Sequence, residues 1–186
     1  MSEPPTTARP SASTWPRRAL LFGGAATALV GGVWVSRGGG GRDAPGATAG
    51  AIWDWVLKTP EGRDLPLAAF RPSGLVLNFW ATWCGPCREE MPMFVRLQRE
   101  QGANGLQFVG IAVDQTDKVR QFADEIGLNY PALIGGYGAM ELSKTLGNSL
   151  MALPFTVIVD RAGRVAHTQL GPLKEEQLAS IVRQLL

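Results

Sequence analysis

The stretch LVLNFWATWCGPCREEMP, residues 75–92, constrains the fold more than any other part of the chain. Residues 75–80 are an apolar run broken only by Asn78, the pattern of a central strand buried on both faces. A helix must follow, because Cys87, Met91, Phe94, Val95 and Gln98 share one helical face that is mostly apolar. Pro86 fits its first turn, where the missing N–H would have had no partner. Pro92 lies deeper and is expected to kink it. Cys84 and Cys87, the only two cysteines, straddle this helix start. A bridge between them closes too short a loop to constrain the unfolded chain much, so it is no ordinary structural staple. Free backbone N–H groups and the helix dipole favour a thiolate at Cys84, and the thiolate is the attacking species. Cys87, inside the first turn, is expected to be more buried and near enough to close a ring with Cys84. The pair therefore suits a two-step exchange. Cys84 attacks a disulfide, and Cys87 then attacks Cys84 to release the reduced product.

The rest of the domain, residues 52–186, reads as an α/β sandwich around a mixed sheet. WDWVLKTPEGRDLPLAAF gives two short strands about a Pro-Glu-Gly turn. Residues 106–114 are a second buried strand. Val119, Phe122, Ala123 and Ile126 mark an amphipathic helix stopped by Gly127. YGAMELSKTLG is a shorter helix. Residues 155–160 form a third apolar strand, with RVAHTQL as its hairpin partner. Leu178, Ile181, Val182 and Leu185 line the final helix.

The N-terminal quarter has a different composition. Residues 1–18, rich in Pro, Ser, Thr and Ala, are expected to be disordered. Residues 19–35 carry no charge and only one polar side chain, Thr27. That length sits at the short limit for a membrane span, roughly 17–25 residues, and Arg17 and Arg18 precede it directly. The segment is expected to be a transmembrane anchor or signal segment, with residues 36–51 as a flexible linker. The slight excess of arginine on its N-terminal side favours a domain outside the cytoplasm. Cleavage near Ala47–Ala49 is the alternative and would release an exported soluble protein. Residues 1–49 hold five Arg against Glu3 and Asp43, whereas the remainder holds 13 basic and 14 acidic residues. The domain thus lacks the basic footprint of nucleic-acid binding.

Two segments carry a family resemblance: NFWATWCGPCREEMP, residues 78–92, and LPFTVIVDRAGRV, residues 153–165. Through them residues 52–186 resemble the thioredoxin-like domain of the TlpA/ResA/CcmG group, the membrane-anchored thiol–disulfide reductases of bacteria. The resemblance implies a thioredoxin-like fold and no cofactor. It implies Cys84 as nucleophile, Cys87 as resolving thiol, and Pro154 as a cis-proline facing them. Leu153 would offer its backbone to a substrate strand, and Trp83 would stand beside Cys84 as an exposed aromatic. Cytoplasmic thioredoxin has a buried Asp where this chain has Asn78, which exchanges no proton at neutral pH. The resembled group instead uses a Glu three residues after its second Cys. Here that residue is Glu90, expected to accept a proton from Cys87, while Glu89 is read as a solvated carboxylate.

Other chemistries fit less well. Two thiols and the distant His167, read as a surface side chain, fall short of the roughly four ligands of a zinc site, so no metal is expected. A copper chaperone of related fold would have wider cysteine spacing. A peroxiredoxin-like peroxidase would carry Thr where this chain has Ala81, with Thr82 one place off. A non-catalytic binding module would not require a CxxC pair at a helix start. Gly85-Pro86 matches strongly reducing thioredoxins. The resemblance therefore implies a reductase of protein disulfides outside the cytoplasm, apocytochrome c among its candidate clients. Such a reductase requires a transmembrane electron donor.

Overall fold

The computed structural model describes residues 50–71 and 73–185. The segments 1–18 and 19–35, and the linker up to residue 49, lie outside them. No helix among the described residues is long and apolar enough to cross a membrane. The first described element is helix α1, Gly50–Trp53, which overlaps the last two residues expected as linker. It is held because Ile52 and Trp53 are buried, and Arg71 stacks over the Trp53 ring at 4.3 Å.

Strands β1 (Val56–Lys58) and β2 (Asp64–Pro66) form the hairpin expected from the Pro-Glu-Gly turn. Strand β3 (Gly74–Trp80) is buried along its whole length. Helix α2 (Gly85–Gln101) follows and continues as one element past Pro92, which lies on its exposed side. Next come β4 (Leu106–Ala112), α3 (Thr116–Glu125), β5 (Ala132–Ile134) and α4 (Gly138–Thr145). The hairpin β6 (Phe155–Val159) and β7 (Val165–Leu170) precede α5 (Glu175–Leu185). Gly127, at φ +61°, ends α3 in the left-handed region.

The sheet runs β2-β1-β5-β4-β3-β6-β7. Strands β3, β4 and β5 are parallel, while β1 and β6 run antiparallel to their neighbours β5 and β3. Alternation along β3 feeds two cores. Val76 and Trp80 pack with Phe94 and Val95 of α2, Val119 and Phe122 of α3, and Leu178 and Val182 of α5. Leu75, Leu77 and Phe79 face the other way, against Ile52, Ala139, Met140 and Leu142. This is the expected mixed sheet flanked by helices, with β5 as an unanticipated addition. Gly110 of β4 leaves room for two large rings against the strand. A Cβ there would sit 2.7 Å from Trp80 Nε1 and 3.6 Å from Tyr130 Cε2.

His167 departs from its reading as a surface side chain. It is half-buried, and its Nε2 is shielded without a hydrogen-bond partner. A register shift pairs Val159 with Val165 but Ile158 with His167, so His167 shares the face of the buried Ile158. Burial, offset in part by Gln169, holds its pKa below the ordinary imidazole value.

Candidate active site

The parallel strands deliver their C-terminal ends to one edge of the sheet, where the chemistry-bearing residues gather. Strand β3 ends at Trp80, and the chain reaches α2 through Ala81–Cys84. This connection is fixed to β4. Asp114, just past β4, accepts hydrogen bonds from the backbone N–H of Thr82, at 3.0 Å, and from the Thr82 hydroxyl. It also accepts from the N–H of Gln115, at 2.7 Å. Burial opposes ionisation of Asp114, but these donors hold its carboxyl below the usual range.

Cys84 is the N-cap of α2, with extended backbone, and its Sγ accepts from the Cys87 N–H at 3.3 Å. No acidic residue occupies the first turn, so nothing there opposes the helix dipole at the sulfur. Cys84 and Cys87 are joined as a disulfide, and both are buried, Cys87 completely. Arg88 anchors this turn to α3. Its guanidinium lies 4.2 Å over the Phe122 ring and 3.2 Å from Glu125. Trp83, in contrast, is 68% exposed. Beside it opens a groove of about 430 Å³, lined also by Val113, Lys118 and the exposed Tyr137.

Strand β6 lies on the opposite side of β3 from β4, so its leading end forms the other flank of the site. The Leu153–Pro154 peptide is cis, Pro154 is buried and Leu153 is half-buried. Leu153 makes no backbone–backbone hydrogen bond among the described residues. The preceding loop is shaped by buried Asn148, which accepts from Ala152 N–H at 3.1 Å and donates to Ala152 C=O at 2.9 Å.

Glu89 is exposed, whereas Glu90 is only 5% exposed. One turn along α2 from Cys87, the Glu90 carboxylate is held by two donors. Asn78 Nδ2 donates to Oε1 at 3.0 Å, and the Leu173 N–H donates to Oε2 at 3.0 Å. Burial dominates nonetheless and pushes its pKa up to about 7. Neither Asn78 as a partner of Glu90 nor Leu173 was evident as part of the site from sequence. The only available signal for Asn78 was one amide inside an apolar strand, where a polar group must find a partner.

The raised pKa of Glu90 makes stability depend on pH. The unfolded carboxyl ionises near its ordinary 4.5, while the folded one keeps its proton to about 7. Between those values the folded state binds more protons, so stability is lost as pH rises through this window. The loss is roughly 3 kcal/mol and levels off above pH 7. Urea unfolding of the oxidised protein from pH 4 to pH 8 is expected to show this slope. Its difference from Glu90→Gln should fall by that amount across the window. Parallel curves for the two proteins would contradict the buried-carboxyl account.

Comparison with known proteins agrees with the geometry. The family described as Redoxin matches residues 41–186. The chain is 31% identical over 146 residues to "Thiol-disulfide oxidoreductase ResA" of Bacillus thuringiensis, covering 78% of each chain. It is 34% identical to "Thioredoxin-like protein YneN" of Bacillus subtilis, covering 67% of this chain and 72% of that one. Among solved structures, a thiol:disulfide interchange protein of the thioredoxin family from Chlorobium tepidum superposes with a TM-score of 0.65 at 27% identity. That match covers 70% of this chain and 92% of the other. With its helix-capping Cys84–Cys87 pair, the chain belongs to the Redoxin family as a thioredoxin-like thiol–disulfide oxidoreductase of the ResA/CcmG type.

Proposed function

We propose that this oxidoreductase acts mainly as a reductant of protein disulfides outside the cytoplasm, through Cys84, Cys87 and Glu90. The observation that carries the reading is the order of groups along α2. A sulfur caps the helix, its partner lies fully buried in the first turn, and a buried carboxylate follows one turn later. In the dithiol form the Cys84 thiolate attacks one sulfur of a client disulfide. A mixed disulfide forms, and the other client sulfur leaves as a thiolate. Cys87 then loses its proton to Glu90 and attacks Cys84 Sγ, freeing the second client sulfur. The client gains two electrons, the pair becomes the disulfide, and a dithiol donor must reduce it again. A pKa near 7 suits Glu90 to take up and release a proton at neutral pH. Leu153, its backbone unpaired among the described residues, is suited to pair with an extended client segment, and Pro154 and the exposed Trp83 would flank Cys84.

The reading of residues 19–35 as a single-pass anchor places the domain on the outer face of the inner membrane. Seventeen successive uncharged residues after Arg17 and Arg18 support this placement. A transmembrane dithiol donor would then supply electrons, and apocytochrome c is a client of suitable chemistry.

The Cys84→Ser variant is expected to lose insulin reduction entirely. Cys87→Ala should instead accumulate mixed disulfides with client proteins, because the second step is blocked. Glu90→Gln should slow exchange by roughly a hundredfold at pH 7. Full activity in Cys84→Ser would sink the assignment, and a parental rate in Glu90→Gln would remove that residue from the mechanism.

Placement is tested separately. The full chain is expected to stay in the membrane fraction through carbonate washing, and alkaline phosphatase fused after Gly50 should be active. An inactive fusion would contradict export. A mature N-terminus near Gly50 would preserve export and rule out the anchor.

A further inference from the structure

Asn78 is almost fully buried at the centre of β3, directly across from Thr156 of β6. Its Nδ2 lies 3.0 Å from Glu90 Oε1 and 3.0 Å from Thr156 Oγ1. Both hydrogens of the amide are therefore used, one on the carboxylate and one on a hydroxyl that is itself fully buried. The position of the Thr156 hydroxyl matters because an amide can present either end to a neighbour. The carboxylate only accepts and so takes the nitrogen, while Thr156, accepting the second N–H, holds the amide in that orientation, with Asn78 Oδ1 buried and unpaired among the described residues.

We propose that Asn78 is a positioning residue, oriented by Thr156, which fixes the Glu90 carboxylate in place and sets how tightly Glu90 holds its proton. The inference rests on the reading of Glu90 as the proton acceptor of Cys87. Few other groups compete for this control. Cys87 lies one turn away on α2 and is held in the disulfide. The loop before α5 contributes only the Leu173 N–H. Tyr130, packed from the loop before β5, is within electrostatic reach of Glu90. Burial first, and then that carboxylate, hold its phenol neutral far above the working range. Thr156 and Asn78 carry no charge. Among the described residues the one side-chain donor to Glu90 is thus Asn78, acting against the burial that raises the pKa. Removing that donor leaves burial opposed by the Leu173 N–H alone. Thr156 also stands two residues beyond Pro154, so the same contact ties Glu90 to the strand that leads out of the Leu153–Pro154 corner.

The test is a carbon-13 NMR titration of Glu90 in the oxidised full chain, where neither thiol titrates, paired with the pH profile of disulfide exchange. Asn78→Leu is expected to raise the Glu90 midpoint by about one pH unit or more, because a hydrogen bond to a charged group is lost. Asn78→Asp, nearly isosteric, should move the last ionisation of the pair upward as well, since two carboxylates then share the site. Thr156→Val should raise the midpoint by less, and Thr156→Ser should restore the parental value. The exchange profile should shift alkaline in step with each midpoint, whereas a merely structural role would lower the rate without moving the profile. A parental Glu90 midpoint in both Asn78 variants would overturn the inference. A shifted midpoint with an unshifted exchange profile would uphold the control of Glu90 by Asn78 and overturn the role of Glu90 as proton acceptor.

Discussion

A carboxylate buried one helical turn from a disulfide is costly, and the surrounding domain compensates for it at several points. Glu90 sits between α2 and the sheet with a donor on each oxygen, Asn78 from β3 and Leu173 from the chain entering α5. Neither donor carries charge, so the carboxyl is satisfied without being driven to ionise. That balance allows a group so deeply buried to exchange a proton near neutral pH. The arrangement needs β3 to be fully enclosed, because an exposed strand would let water hydrate the carboxylate and return it to its ordinary acidity.

The sheet order determines what stands around the sulfurs. Strand β3 has β4 on one side and β6 on the other, so the loop carrying Cys84 emerges between two flanks. On the β4 side, Asp114 clamps Thr82, and the groove beside Trp83 lies open. On the β6 side, the cis Leu153–Pro154 corner is held from behind by Asn148. In the proposed reading a client chain meets Cys84 between the Leu153–Pro154 corner and the exposed Trp83. A client chain is accommodated there more readily than a small molecule in an enclosed cavity.

Much of this was legible in the sequence, and the omissions have physical causes. The apolar runs at 75–80, 106–114 and 155–160 read as buried strands because nothing polar sets a period in them, and the observed β3, β4 and β6 lie within or just around them; the helices declared themselves by spacing. Strand β5 was missed. Only Ala132–Ile134 form it, between Pro131 and the Gly135-Gly136 pair, and it exists because β4 and β1 provide edges on both sides. Helix α1, only four residues long, owes its form to packing. His167 was misread because a bulge, invisible in sequence, turns it toward the face of Ile158. Cys84, Cys87 and Glu90 could be named from spacing and resemblance. The interruption of two apolar strands by Asn78 and Thr156 hinted at a buried polar contact, but their facing register is a property of the sheet.

In the proposed mechanism a helix-capping thiol and a buried carboxylate divide the chemistry between two cysteines. The most direct measurement is a carbon-13 titration of the Cβ atoms of Cys84 and Cys87 in the reduced protein and in its Glu90→Gln variant. Cys84 is expected to titrate below the free-cysteine value of about 8.5 in both proteins, since the helix end acts on it in either case. Cys87 should titrate above that value, and its curve should change when Glu90 is replaced. Equal midpoints for the two thiols, or a Cys87 curve indifferent to Glu90, would contradict that mechanism.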